Sequence, residues 1–392
     1  MNKILEMLRE ESIQGIISAE QIETFCCHQA KRRLNIPLPT MNRGVFWERV
    51  EINGWSIQQN TITSHCRILD PDGIRRAYGT EDQILPWFVH KIDEQKRIDH
   101  VKKQYGIVFS GGGGKGAYQI GVWKYLNEKK LDRLITGISG SSVGALNSIL
   151  FAQEDYTLAE QIWLDIQQKD MMRLSDSLPQ LLHNLLWGNN PMMLVNYLAQ
   201  PHAVFTQATI RDKINQLYLA KETILSSQKL IYSSLSAAAL PHLPRKEGEV
   251  LTRIFSAISQ AEYFCWAGLD WDTLLKVVLA SAALPVCYKP QDLADQEYLD
   301  GGIQDNLPVK PLIEAGFHNI IVIHLLRSKW EAEWRNSTAG VDCRKVKFFH
   351  VHPDQDFDDS LAATLTVDPQ TTQTRINQGY RDAKKQLCNL CS

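Results

Sequence analysis

Residues 105–150 read YGIVFSGGGGKGAYQIGVWKYLNEKKLDRLITGISGSSVGALNSIL, and the whole chain is organised around them. Two glycine-rich turns punctuate the stretch. Each follows a short apolar or β-branched run and precedes a helical pattern, giving strand, turn, helix, strand, turn, helix, which is the wiring of a βαβ crossover. In a parallel crossover both turns leave the sheet at its carboxyl edge. The two turns are therefore expected to be neighbours, with the functional site between them.

The second turn, Gly140-Ser141-Ser142-Val143-Gly144, spells G-x-S-x-G. A nucleophilic serine must be pushed out of a sharp strand-to-helix turn, and the small residues two before and two after it let the neighbouring chain pass. Ile135 to Ser139 supplies the strand and Val143 to Phe151 the buried helix. The first turn is Gly111-Gly112-Gly113-Gly114-Lys115-Gly116. Four consecutive glycines free the backbone to aim several N–H groups at one point, at an entropic cost that needs a reason. Gly111, Gly113 and Gly116 also fit G-x-G-x-x-G with Asp132 downstream, so a dinucleotide site or a catalytically silent interaction module is the rival reading. A Walker loop fails because Gly116, not Ser or Thr, follows Lys115. An oxyanion hole beside Ser142 explains more, since a dinucleotide site has no use for a serine elbow next door.

The third part lies far downstream in EYLDGGIQDNLPVKPL, where Asp300 precedes Gly301 and Gly302. Alone, Asp-Gly is a turn signal. With the other two turns, the trio resembles the patatin-like phospholipase family, whose pattern is a glycine-rich oxyanion loop, a G-x-S-x-G serine and an Asp-Gly-Gly aspartate. VLASAALPVCYKP, from Val278 to Pro290, resembles that family's segment before the aspartate. The likeness runs from about 105 to 315, with core motifs in 106–315 and a weaker likeness beyond. Lys115 stands where plant members carry arginine, which keeps the charge. The resemblance implies a lipid acyl hydrolase of the phospholipase A or lysophospholipase type. Its dyad would be Ser142 and Asp300, its oxyanion loop Gly111 to Gly116, and its substrate a membrane phospholipid or other acyl lipid. It implies no cofactor and no metal, and the sequence adds no cluster of His, Asp or Glu at ligand spacing. An aspartate is a weak base at its ordinary pKa of about 3.9, so Asp300 can serve only if burial raises its proton affinity. A Ser-His-Asp alternative would recruit a late histidine from His318, His324, His350 and His352, but the dyad needs none of them.

At 392 residues the chain can bury a large core plus a smaller appendage. Forty-two basic against 44 acidic side chains leave a net charge of −2, which gives no reason to expect nucleic acid as a partner. The eight cysteines show no C-x-x-C pair and read as reduced thiols. The first residues are too short for a signal h-region, and no apolar run approaches the roughly 18 residues of a membrane span. The expectation is a cytoplasmic protein with peripheral membrane contact.

Residues 1–104 are expected to form an α+β accessory domain, a candidate surface for a regulatory partner. Two short helices come first, around Ile4 to Leu8 and Ile22 to Cys26. An antiparallel meander follows, with turns at Asn53-Gly54 and at Asp70 to Gly73, and then a helix from Glu81 to His100. Residues 105–392 form the catalytic domain, an α/β three-layer sandwich with a mostly parallel central sheet. Within it Leu178, Leu181, Leu182, Leu185 and Leu186 make an amphipathic stripe flanked by Met171, Met172, Met192 and Met193. The stripe suits a core helix or a lid. Further strands are expected at 229–238, 253–259, 262–266, 320–325 and 347–351, with helices at 271–283 and 379–387. Nothing in the sequence sets the oligomeric state.

Overall fold

The computed structural model describes residues 47–52, 55–60, 65–69 and 75–80, single helical positions between 90 and 98, and then 100–167, 205–216, 221–238, 258–285, 287–293, 296–357, 364 and 366–390. The expected helices before residue 30, the leucine and methionine stripe of 171–193 and most of the 81–100 helix lie outside these residues. Contacts divide the chain into two units, Met1–Lys96 and Arg97–Ser392.

The first unit holds a four-stranded antiparallel meander of β1 (Trp47–Ile52), β2 (Trp55–Asn60), β3 (Cys66–Leu69) and β4 (Arg75–Gly79). Ile52 stands opposite Trp55, the register that a two-residue Asn-Gly connection requires. Ile57, Cys66 and Ile68 are buried.

The second unit runs through β5 (Tyr105–Phe109), α1 (Ala117–Glu128), β6 (Ile135–Ser141), α2 (Val143–Ala152), α3 (Tyr156–Asp165) and α4 (Ala208–Gln216). It continues with β7 (Leu230–Ala238), β8 (Ile258–Cys265), α5 (Trp271–Ser281), β9 (Gln291–Leu293), β10 (Gln296–Asp300), β11 (Asn319–Ile323), α6 (Trp330–Ser337), β12 (Lys347–Val351) and α7 (Pro369–Gln386). The strand order is β12-β11-β5-β6-β7-β10-β9, with β8 also on β7. The run from β12 to β7 is parallel, while β8, β9 and β10 are antiparallel. Alternation along the central strands divides two cores. Ile107, Phe109, Ile321 and Ile323 face α1, α2 and α7, whereas Val108, Ile320 and Val322 join Leu312 and Phe317 on the other side. This is the three-layer α/β sandwich with a mostly parallel sheet.

Two elements differ most from expectation. A single strand, β8, spans Ile258–Cys265 where separate strands at 253–259 and 262–266 were expected; residues 251–257 lie outside the described set. The last helix begins at Pro369, ten residues before the expected Gly379. Its buried positions are Thr372, Arg375, Ile376, Gly379, Asp382 and Ala383. They keep helical spacing, yet only Ile376 and Ala383 are apolar, so hydrophobic periodicity could not reveal the first half. Asp368 caps this helix by accepting from the Thr371 N–H at 2.9 Å, with Pro369 at its first position.

Candidate active site

Strand register brings the three glycine turns together. Phe109 at the end of β5 is level with Gly140 of β6, so the glycine loop and the serine turn leave the sheet side by side. Ser141 of β6 is level with Ser234 of β7, and the next residue, Leu235, is level with Asp300 of β10. Ser142 and Asp300 thus arrive at the same height from strands running in opposite directions.

Ser142 has φ 54° and ψ −122°, a left-handed conformation that costs a non-glycine residue about 1–3 kcal/mol. The turn is sharp enough that the flanking glycines are obligatory: a Cβ on Gly140 would lie 2.4 Å from the Gly144 carbonyl oxygen, and one on Gly144 would lie 2.1 Å from that of Phe109. The Ser142 N–H donates to Ser281 Oγ at 3.0 Å, and Ser281 Oγ donates to the Ser234 carbonyl at 2.7 Å. Ser281, within the VLASAALP stretch, therefore holds the strained turn from the end of α5. Sequence reading missed this role because nothing in a lone serine announces a backbone partner 139 residues away.

Ser142 Oγ donates to Asp300 Oδ2 at 2.6 Å, and the Gly302 N–H donates to Asp300 Oδ1 at 2.8 Å. Gly301 opens the short turn in which these groups sit. Asp300 is 4% exposed, and this burial pushes its carboxyl up to about 6, against the lowering effect of the bonds from Ser142 and Gly302.

The glycine loop forms one wall of a cavity of about 480 Å³ that Ser142 and Asp300 also line. Gly113 has φ 56°, and its missing side chain lets the Thr364 carbonyl oxygen approach to 2.1 Å from where a Cβ would stand. The Gly111 N–H is engaged by Asn306, while those of Gly112, Gly113 and Gly114 find no acceptor among the described residues. Lys115 is buried, and Gly116 ends the short 3-10 turn that leads into α1. Val143, Leu146, Ile210, Leu284, Leu325 and Leu326 also line the cavity and give it an apolar surface.

None of the four late histidines is among the residues that line this cavity. His318 is exposed. His324 and His350 face each other, Nε2 to Nδ1 at 2.9 Å, and His350 and His352 pack on Trp330. Burial, then His350 and His352, hold His324 well below the ordinary imidazole value, and burial with His352 takes His350 to about 4. Both are neutral packing groups at pH 7. Among the described residues no cluster of three or more side chains could hold a metal ion, and no helix is long and apolar enough to cross a membrane.

Comparison with known proteins gives a family and several structural likenesses. The family profile described as patatin-like phospholipase matches residues 107–313. Solved structures that match include VipD from Legionella pneumophila (14% identity, 74% of this chain and 67% of that one, TM-score 0.39) and human GIVD cytosolic phospholipase A2 (8%, 89% and 74%, TM-score 0.43). The type III effector ExoU of Pseudomonas aeruginosa also matches (16%, 87% and 58%, TM-score 0.32), so this chain spans less than two thirds of ExoU. A search of curated protein sequences returns no match. The profile takes in the glycine loop, Ser142 and Asp300 in one run and covers more than half of the chain: the protein belongs to the patatin-like phospholipase family.

Proposed function

We propose that the protein is a serine lipid acyl hydrolase, a carboxylic ester hydrolase of the phospholipase A or lysophospholipase type, working through a Ser142–Asp300 dyad. The observation that carries this reading is the 2.6 Å bond from Ser142 Oγ to an aspartate whose burial has lifted its proton affinity. Ser142 Oγ attacks the ester carbonyl carbon while Asp300 Oδ2 takes its proton. The N–H groups that follow Gly111 in the loop bind the oxyanion. The tetrahedral intermediate collapses, the alcohol leaves with the proton from Asp300, and an acyl-serine remains. Water then attacks the acyl carbon with Asp300 as base, releasing a fatty acid and restoring Ser142. The apolar lining suits an acyl chain, so the substrate is a membrane phospholipid or other acyl lipid met at a membrane surface by peripheral contact from the cytoplasm. Residues 1–104 are the accessory domain through which a regulatory partner would act.

This dyad needs an ionised aspartate and no histidine. For wild type on a short-chain soluble ester, kcat/KM is expected to rise with pH through about 6 and level off above 7. At pH 5 it should be about tenfold below the plateau, one pH unit below the pKa. His318→Ala, His324→Ala, His350→Ala and His352→Ala should keep that profile and a substantial rate. A profile flat from pH 5 to 8, or one folded histidine variant as inactive as Ser142→Ala, contradicts the dyad.

A further inference from the structure

We infer that Asn306 and Glu333 are positioning residues for the glycine loop. This inference rests on the hydrolase reading and deepens it.

Asn306 grips Gly111 from both sides of the residue. The Gly111 N–H donates to Asn306 Oδ1 at 3.1 Å and to its main-chain oxygen at 3.3 Å, and Asn306 Nδ2 donates back to the Gly111 carbonyl at 3.4 Å. The same amide is wedged against the aspartate turn. A Cβ on Gly111 would lie 2.4 Å from Asn306 Oδ1, and a Cβ on Gly302 would lie 2.7 Å from that atom. One side chain therefore spans the loop expected to bind the oxyanion and the turn whose N–H holds Asp300. An amide can point either way round, and its partners decide which. Here Nδ2 also donates to Glu333 Oε1 at 3.2 Å, and a carboxylate can only accept, so Glu333 keeps the oxygen turned towards the Gly111 N–H. Glu333 sits on α6, where it lines the cavity together with Asn336 and Ser337. The helix is seated by Trp334 against Phe348 and His350. This support comes from outside residues 107–313.

The consequence is a division of labour within the loop. With the Gly111 N–H taken by Asn306, the donors for the oxyanion start at Gly112, and Asn306 sets the angle at which they leave the sheet edge. Removing Asn306 or releasing its amide should misaim those donors. That error is felt when charge develops on the carbonyl oxygen, so it falls on kcat and spares KM.

The experiment is steady-state hydrolysis of a short-chain ester by the full chain, with circular dichroism to confirm the fold. Asn306→Ala is expected to lower kcat about 100-fold, comparable to losing one oxyanion donor, with KM changed less than about threefold. Glu333→Ala should lose about tenfold in kcat, an intermediate loss because the hydrogen bonds to Gly111 remain possible. Glu333→Gln should recover most of it, because its amide oxygen can still accept from Asn306. A wild-type chain that neither hydrolyses the ester nor takes up a fluorophosphonate defeats the hydrolase reading and this inference with it. An active wild type with Asn306→Ala within threefold in kcat, or with the loss carried by KM, overturns this inference alone. If Asn306→Ala does not fold, the glutamate pair decides, and Glu333→Gln as impaired as Glu333→Ala overturns the orienting role.

Discussion

Asp300→Asn is expected to lose about 10⁴-fold in ester turnover, the order seen when a triad aspartate is replaced by its amide, and to become more stable. The loss follows because an amide cannot take the proton of Ser142. The gain follows from burial. The carboxyl rises from 3.8 to about 6 in the folded protein, so its ionised form is disfavoured there relative to the unfolded chain. A raised folded-state pKa contributes stability below the unfolded value that is lost as pH rises through the folded one. Wild type is therefore penalised above pH 6, by up to roughly 3 kcal/mol at about 1.4 kcal/mol per pH unit. The amide carries no such penalty and can still accept from the Gly302 N–H. Urea midpoints at pH 4 and pH 8 check this: the two proteins should be closely matched at pH 4, with the variant ahead at pH 8. A variant less stable than wild type at pH 8 contradicts the burial argument.

Gly113→Ala is expected to lower turnover by about 10²–10³, the usual cost of one oxyanion donor. Its Cβ would meet the Thr364 main-chain oxygen at 2.1 Å from a backbone with φ 56°, so the loop itself must move. Gly112→Ala is the internal comparison. There the nearest atom is Leu325 Cδ1 at 2.7 Å, the end of a flexible side chain that can turn aside, so the strain comes from φ 157° without a main-chain clash and a smaller loss, about tenfold, is expected. Measured kcat for the two folded variants tests the difference. Near-normal turnover in Gly113→Ala would move the oxyanion donors elsewhere.

The parts of the site that are turns were legible in the sequence, because a turn needs particular residues at fixed offsets. G-x-S-x-G between an apolar strand and an apolar helix describes its own geometry, and β12 falls on the expected Lys347–Val351. What escaped were partners that act on backbone atoms far away in sequence. Asn306 sits in Asp-Asn-Leu-Pro, which reads as an ordinary turn, yet it binds Gly111 across 195 residues. Ser281 reads as one small residue among alanines. The first half of α7 was hidden because its buried face carries Thr372 and Arg375, and Arg375 uses its guanidinium to donate to the Thr366 carbonyl. A buried face built from polar side chains leaves no hydrophobic pattern to read.

The claim on which everything else stands is that Ser142 is the nucleophile. Incubation of the full chain with a fluorophosphonate, followed by intact mass and peptide mapping, measures it directly. One adduct on the peptide that contains Ser142, and none in Ser142→Ala, is the predicted result. An adduct of equal yield in Ser142→Ala, or no adduct on a wild-type chain that hydrolyses esters, would contradict it.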